Sequence, residues 1–196
     1  MPANYNDTET LTRNSKIVNG FTATSMNEFS YQGLIFIDSR TVKGSQCGAA
    51  VLSERWIVSA KHCVNDAISI EVRVGGLSRN TYAFRTYAAS YAVSDTTDVA
   101  LIDMNDKVTF SNSVNFVRLP RISQKNNLYT GDIATVTGYG VDNQATFSLS
   151  NYLQYATVKV ISNVECAKTY GPAATIPTVI CAVGYPNEKS SSCPGN

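Results

Sequence analysis

The feature that most constrains the fold is a series of short apolar segments, each of strand length and each bounded by turn residues. The clearest is 68–74, in which four apolar residues alternate with polar ones and Gly75-Gly76 follows. Residues two apart lie on the same face of a strand, so this segment predicts one buried and one solvated face. Further segments of this kind are 33–37, 56–60, 99–104, 133–137 and 153–161. Such a series is typical of an all-β sandwich or barrel.

Only one segment has a helical signature. Ser162 and Glu165 have the spacing of a capping box, in which the serine caps the first turn and the glutamate reaches back to the serine amide. Gly171-Pro172 predicts the end of this short helix.

Length and charge exclude several classes of function. The 196 residues suffice to bury a core, and 16 basic against 15 acidic residues give a formal charge of +1. This balance gives no electrostatic reason to expect nucleic acid or an anionic membrane surface as a partner. No apolar run approaches the roughly 20 residues that a membrane helix needs. We therefore expect a folded soluble protein with neither partner.

The cysteines and the histidine argue against a metal centre. There are five cysteines and one histidine, and no two cysteines have the Cys-x2-Cys spacing of a zinc site. We expect no metal and no cofactor. An odd number of cysteines leaves one thiol unpaired in an oxidising compartment.

Two segments, one at the start of the chain and one near its middle, lack the pattern of short strands. Residues 1–16 form a polar leader that ends at Lys16 and lacks the apolar core of a secretory signal. We expect either that a signal has been removed or that the sequence is incomplete at its start. Residues 118–130 break the strand rhythm and mark a midpoint.

Three motifs occur in a fixed order along the chain. Ile17-Val18-Asn19-Gly20 comes first, Ser59-Ala60-Lys61-His62-Cys63 second and Asp98-Val99-Ala100-Leu101 third. An isolated histidine is more often a packed or surface side chain, but the order histidine, aspartate, nucleophile carries family information. Together the motifs resemble the trypsin/chymotrypsin family of serine endopeptidases.

The resemblance implies an architecture. It predicts two packed antiparallel six-stranded β-barrels with the active site between them, the second barrel being incomplete here. The leader or activation peptide would be 1–16 and the protease domain 17–196. The first barrel would cover about 17–119 and the second about 128–196.

The resemblance also assigns catalytic roles. His62 would be the general base, because imidazole titrates near neutral pH. Asp98 would accept from the other ring nitrogen and fix the tautomer. An aspartate before an apolar strand commonly only caps a turn, and Asp95 is such a candidate. Thr137-Gly138-Tyr139-Gly140 resembles the family's Thr-Gly-Trp-Gly turn near the cleft.

Activation by proteolysis follows from the same resemblance. Cleavage after Lys16 would free the α-amino group of Ile17, which in the family pairs with the aspartate before the nucleophilic serine. The alternative is that Lys16-Ile17 is an ordinary loop dipeptide.

The last residues align with the family's Ser-Cys-x-Gly-Asp-Ser-Gly block. Gly195 would supply an oxyanion-hole amide, and Ser191 would form the floor of the specificity pocket. A serine there favours uncharged, large apolar or aromatic substrate residues. Asn196 stands where the family has its aspartate, and the nucleophilic serine would come directly after it.

The cysteine pairing is likewise implied by the family. It would join Cys47 to Cys63 and Cys166 to Cys181, and would leave Cys193 unpaired in this sequence. The resemblance and the cysteines predict secretion. The partners would be protein or peptide substrates, an activating trypsin-like protease and protease inhibitors.

Three functional hypotheses remain open. The first is a serine endopeptidase made as a zymogen, a hydrolase whose chain as written is inactive because it lacks the serine. The second is a non-catalytic homologue that binds or regulates partners, which Asn196 favours. The third is a secreted interaction module. The residue after Asn196 discriminates between the first two.

Overall fold

The computed structural model describes residues 16–18, 20–140, 149–176, 178–186 and 191–193, with the backbone alone for the first and last of these ranges. The strands are β1 Lys16–Val18, β2 Phe21–Thr22, β3 Gln32–Ser39, β4 Ser45–Val51, β5 Trp56–Ser59, β6 Ala67–Val74, β7 Phe84–Val93, β8 Ala100–Met104, β9 Ile133–Gly138, β10 Gln154–Ile161, β11 Cys181–Gly184 and β12 Ser191–Cys193. The helices are α1 Lys61–Val64 and α2 Asn163–Tyr170, with 3-10 turns at Ile122–Gln124 and Pro172–Thr175.

Six antiparallel strands close into a barrel in the order β3-β4-β5-β8-β7-β6. Because the barrel is closed, each of the six strands is hydrogen-bonded to a neighbouring strand along both of its edges. Along β6 the inward residues Ile70, Val72 and Val74 are at most 2% exposed, as the alternating pattern predicts. Ile68, at the start of the strand, is instead 68% exposed, so the buried face begins two residues later than expected.

The second half of the chain forms an open sheet in the described residues. Strand β10 pairs with β9 along one edge and with β2 and β11 along the other. A separate two-stranded sheet joins β1 to β12. The closed second barrel and its boundaries therefore stay predictions, whereas the first barrel is present.

The structure contains the short helix predicted from residue 162, as α2, and a further helical turn, α1, that was not predicted. Ser162 Oγ accepts a hydrogen bond from the Glu165 amide at 3.1 Å, and α2 ends at Gly171, whose φ is 77°. The Glu165 carboxylate makes no return bond to the Ser162 amide. The prediction of a single helical segment was wrong, because α1 is a further turn of helix. One isolated turn is too short to show a helical period or to be stable alone, so tertiary contacts must hold it.

A buried tyrosine links the barrel to the second sheet. Tyr139 is 8% exposed and packs in an apolar cluster with residues of both halves, including Leu34 and Leu153. Its hydroxyl donates to the carbonyl of Gly76, and burial raises the pKa of Tyr139 to about 12. A Cβ on Gly76 would lie 1.7 Å from the Thr81 carbonyl oxygen, so only glycine fits this close approach.

None of the helices in the described part of the chain has the length and apolar character needed to span a membrane.

Acid should selectively remove the stabilisation that Glu71 provides. The hydrogen bond from Arg85, assisted by Arg73, lowers the pKa of Glu71 from 4.5 to about 2. A lowered carboxyl pKa stabilises the fold above the unfolded value, and this contribution disappears as pH falls towards 2. We expect Glu71→Gln to cost on the order of 1 kcal/mol at pH 6, allowing for solvent screening. The cost should shrink on acidification, measured by urea unfolding at pH 6, 4 and 2.5. A cost independent of pH would contradict this.

Candidate active site

His62 lies on α1, directly after the barrel strand β5. A disulfide joins Cys63 of α1 to Cys47 of β4, with 6.2 Å between the Cα atoms. The Asn65 amide also donates to the Lys61 carbonyl and closes the helical turn. Since α1 has no side-chain cap of its own at Ala60, these contacts fix the direction in which the His62 ring leaves the backbone.

Asp98 binds His62 with both carboxylate oxygens. Oδ2 lies 2.6 Å from His62 Nδ1, and Oδ1 accepts the backbone N–H of His62 at 2.8 Å. Amides in the first turn of a helix have no partner within it, so the carboxylate also caps α1. The two contacts together orient the aspartate and the imidazole with respect to each other.

The hydrogen bonds lower the pKa of the Asp98 carboxyl. The His62 ring is the largest cause, and the backbone amides of His62 and Lys61 add to it. Asp98 is therefore charged at neutral pH and accepts the proton on Nδ1, which leaves Nε2 with its lone pair. The side chains of His62 and Asp98 are 31% and 55% exposed, so Nε2 can be reached from solvent.

His62 Nε2 makes no strong hydrogen bond within the described part of the chain. Its contact at 3.5 Å is with Cys63 Sγ, a disulfide sulfur with no proton to donate. The arrangement can thus accept a proton at Nε2 and stabilise the resulting imidazolium through Asp98.

A small hydrogen-bonded loop holds Asp98 in place. Ser94 Oγ accepts the amides of Thr96 and Thr97 and the Thr97 hydroxyl proton. Lys61 Nζ donates to the Ser94 carbonyl at 2.8 Å and ties this loop to α1. Neither support was expected from the sequence. The Ser94-x-x-Thr97 spacing is that of a serine turn and could have indicated the loop, whereas nothing in the sequence pairs Lys61 with it.

Asp95, the alternative aspartate, is exposed and makes no hydrogen bond to His62. The geometry thus selects Asp98 as the partner of the histidine.

Among the described residues, the sulfur atoms of Cys47 and Cys63 and a ring nitrogen of His62 lie within 4.8 Å of one another. The two sulfurs are bonded to each other, so neither is available as the thiolate that a metal ion requires. These donors do not fit a metal.

The remaining predicted site residues are only partly described. The backbone of β1 pairs with that of β12, placing Lys16 opposite Cys193, Ile17 opposite Ser192 and Val18 opposite Ser191. The Lys16-Ile17 bond thus runs beside the strand that begins at Ser191. Gly195 and Asn196 lie outside the described residues, as do the side chains of Ser191 and Cys193. The second disulfide, Cys166–Cys181, joins α2 to β11.

Comparison with known proteins identifies the family. The Trypsin family model matches residues 17–196. A collagenase from Hypoderma lineatum is 32% identical over 176 residues, which cover 86% of this chain and 65% of the collagenase. Trypsin alpha from Drosophila erecta is 31% identical over 178 residues, covering 85% of this chain and 66% of the trypsin. The chain thus spans about two thirds of the length of these relatives.

Solved structures agree. A structure of HL collagenase superposes with a TM-score of 0.76 at 29% identity, covering 85% of this chain and 73% of the other. An inactivated protease paralogue of the scabies mite superposes with a TM-score of 0.74, covering 88% of this chain and 76% of the other. At 19% identity the latter shows the shared fold alone. The all-β fold class and a closed six-stranded barrel are confirmed, and the chain belongs to the trypsin family.

Proposed function

We propose that the protein is a serine endopeptidase that hydrolyses peptide bonds by acyl transfer, with His62 as general base and Asp98 as the residue that orients it. One observation carries the proposal: the Asp98 carboxylate engages both Nδ1 and the backbone amide of His62, which leaves Nε2 as the proton acceptor.

The proposed reaction follows from this tautomer. A serine from the segment after Asn196 would attack the substrate carbonyl carbon as His62 Nε2 removes the hydroxyl proton. The imidazolium would then give that proton to the leaving amine as the C–N bond breaks. Water would attack the acyl-enzyme by the same route in reverse, with Gly195 providing an oxyanion-hole amide.

Activation and specificity belong to the same proposal. Cleavage after Lys16 by a trypsin-like protease would release the Ile17 amino group, and the pairing of β1 with β12 supports a coupling of that site to the pocket strand. Ser191 would leave the pocket uncharged and favour large apolar or aromatic side chains. The two disulfides support secretion into an oxidising compartment, where substrates and protease inhibitors would be met.

Asn196 favours a second candidate, a non-catalytic homologue that binds or regulates partners. An asparagine lacks the charge that would hold the Ile17 ammonium, so the oxyanion hole would not be ordered by cleavage. The two candidates differ in whether the activated protein forms a covalent acyl intermediate.

Labelling with an active-site phosphonate separates the candidates. The full-length protein, including the segment after Asn196, is cleaved after Lys16 and treated with the reagent. We expect stoichiometric labelling in the wild type, loss of labelling in His62→Ala, and no change in Lys43→Ala, an exposed control. A completely cleaved, folded wild-type protein that resists labelling would overturn the proposal and support the non-catalytic homologue.

Lys61→Met should reduce turnover more than stability. The Lys61 ammonium holds the Ser94 carbonyl at 2.8 Å and thereby the loop that presents Asp98. Because a loop without this contact would hold Asp98 less precisely, and small displacements of catalytic groups are costly in rate, we expect roughly a tenfold fall in kcat. Lys43→Met also removes a lysine charge, at an exposed position that does not touch the loop. An equal fall of kcat in Lys61→Met and Lys43→Met would show that the contact between Lys61 and Ser94 has no role in turnover.

A further inference from the structure

The outer face of β3, β6 and β7, together with the segment that precedes β7, carries a cluster of charged and aromatic side chains. We call it the arginine–tyrosine surface, and its members are Phe36, Glu71, Arg73, Tyr82, Arg85 and Tyr87. Cross-strand pairing sets Phe36 and Tyr87 on either side of Glu71, and Arg73 opposite Arg85. Glu71 and Arg73 alternate along β6 with the inward Ile70, Val72 and Val74, so they and their cross-strand partners point out of the barrel.

Glu71 organises the cluster without neutralising it. Its carboxylate accepts Arg73 Nε at 2.5 Å, Arg85 Nη2 at 2.6 Å and the Tyr87 hydroxyl at 3.2 Å. The Glu71 side chain is only 13% exposed, so its oxygens are occupied and covered. Two guanidinium groups around one carboxylate leave a net charge of +1 at this point of the surface.

Most of the arginine donors remain available. A guanidinium has five N–H groups, so Arg73 and Arg85 together offer ten. Four hydrogen bonds use them: two to Glu71, one from Arg73 to the Arg79 carbonyl and one from Arg85 to the Tyr87 hydroxyl. Six N–H groups therefore have no partner in the described part of the chain.

The surface is also held in position before any partner arrives. The Arg73 guanidinium stacks 4.1 Å from the centre of the Phe36 ring and 5.4 Å from that of Tyr82. Arg85 lies 5.4 Å from the Tyr87 ring. Side chains that are already ordered lose little conformational entropy on binding.

Exposure makes these groups accessible. The Arg85 side chain is 40% exposed, Tyr82 44% and Tyr87 48%, whereas the Arg73 side chain is 22% exposed. Tyrosine and arginine are the residue types that most often dominate binding energy at protein interfaces.

We propose that the arginine–tyrosine surface docks an extended acidic segment of another polypeptide. Carboxylates of the segment would accept the six unused N–H groups, in part as bidentate pairs, and its apolar or aromatic side chains would pack on Tyr82 and Tyr87. The whole chain carries only +1, which does not provide the extended positive field that nucleic acid requires. The surface is formed by the first barrel alone and does not depend on the proposed peptidase activity.

Binding of a fluorescein-labelled peptide of alternating Asp and Glu with one central Tyr tests the proposal by fluorescence anisotropy on the full chain. A peptide with Asn and Gln in place of the acids is the ligand control. We expect the acidic peptide to bind more tightly, and Arg85→Gln to weaken it about tenfold or more, the loss expected for a charged hydrogen bond. Tyr82→Ala should also weaken binding, by a smaller factor.

Arg55→Gln is the matched protein control. Arg55 is similarly exposed at 46% on the barrel, but it pairs with Asp103, which removes its excess charge. Equal binding of the two peptides, or equal losses in Arg85→Gln and Arg55→Gln, would overturn the proposal. Stronger displacement by a single-stranded oligonucleotide than by unlabelled acidic peptide would also overturn it, in favour of a general polyanion surface.

Discussion

Asp98→Asn should lower kcat of the activated full-length enzyme about ten-thousand-fold, the effect seen for this change in Ser-His-Asp enzymes, with little change in KM. The structure gives a specific reason. The backbone N–H of His62 needs an acceptor, so the carboxamide introduced by the substitution would turn its oxygen to that amide. Its NH2 group would then face Nδ1, which must become the acceptor. The proton would move to Nε2, and the ring could no longer take a proton from the nucleophile.

The matching control is Asp95→Asn, three residues earlier on the exposed loop. It removes the same charge near the site but touches no part of His62, so we expect kcat to change less than twofold. Both variants should unfold at nearly the wild-type urea concentration, because the amide oxygen preserves the cap on α1. Retention of a tenth of the wild-type kcat in Asp98→Asn would contradict the role assigned to the carboxylate.

The strands of the barrel could be predicted because their signal is local, whereas the choice of a barrel over a sandwich came from the family resemblance. Alternation in β6 places every second side chain on one face whatever its partners are, and the structure buries Ile70, Val72 and Val74 accordingly. The His62–Asp98 pair was predicted from the family resemblance of the ordered motifs, which implies that the chain returns to the same point 36 residues after His62. In the structure the antiparallel pairing of β5 with β8 makes that return, because it sets Ser59 opposite Ala100.

The supports of the site could not be predicted, because they depend on how separate segments meet. Lys61 reaches the Ser94 carbonyl 33 residues away, and nothing in either segment specifies the other. The turn α1 is similar, since its four residues are held by a disulfide and by Asp98 and not by their own helical propensity. The arginine–tyrosine surface also requires the register of β6 against β7, which two alternating segments alone leave open.

The two disulfides allow a paired test of how the barrel holds its histidine. Cys47–Cys63 and Cys166–Cys181 span 16 and 15 residues, so the chain-entropy estimate gives each the same contribution of about 3 kcal/mol. We therefore expect Cys47→Ala/Cys63→Ala and Cys166→Ala/Cys181→Ala to lose similar free energies of unfolding in urea. Their positions differ, because the first bond anchors α1 and the second joins α2 to β11 in the other sheet.

The two disulfide variants should differ in kcat although they lose similar free energies of unfolding. Without Cys47–Cys63, α1 keeps its Asp98 contacts but loses its covalent link to β4, so His62 samples orientations away from the productive one. Since a displacement of about 1 Å can cost a hundredfold in rate, we expect kcat to fall ten- to a hundredfold in this variant at a temperature where both variants are folded. The Cys166–Cys181 variant should keep kcat within about threefold of wild type. Equal losses of kcat would show that the disulfide near His62 acts on stability alone, and that Asp98 suffices to hold the imidazole.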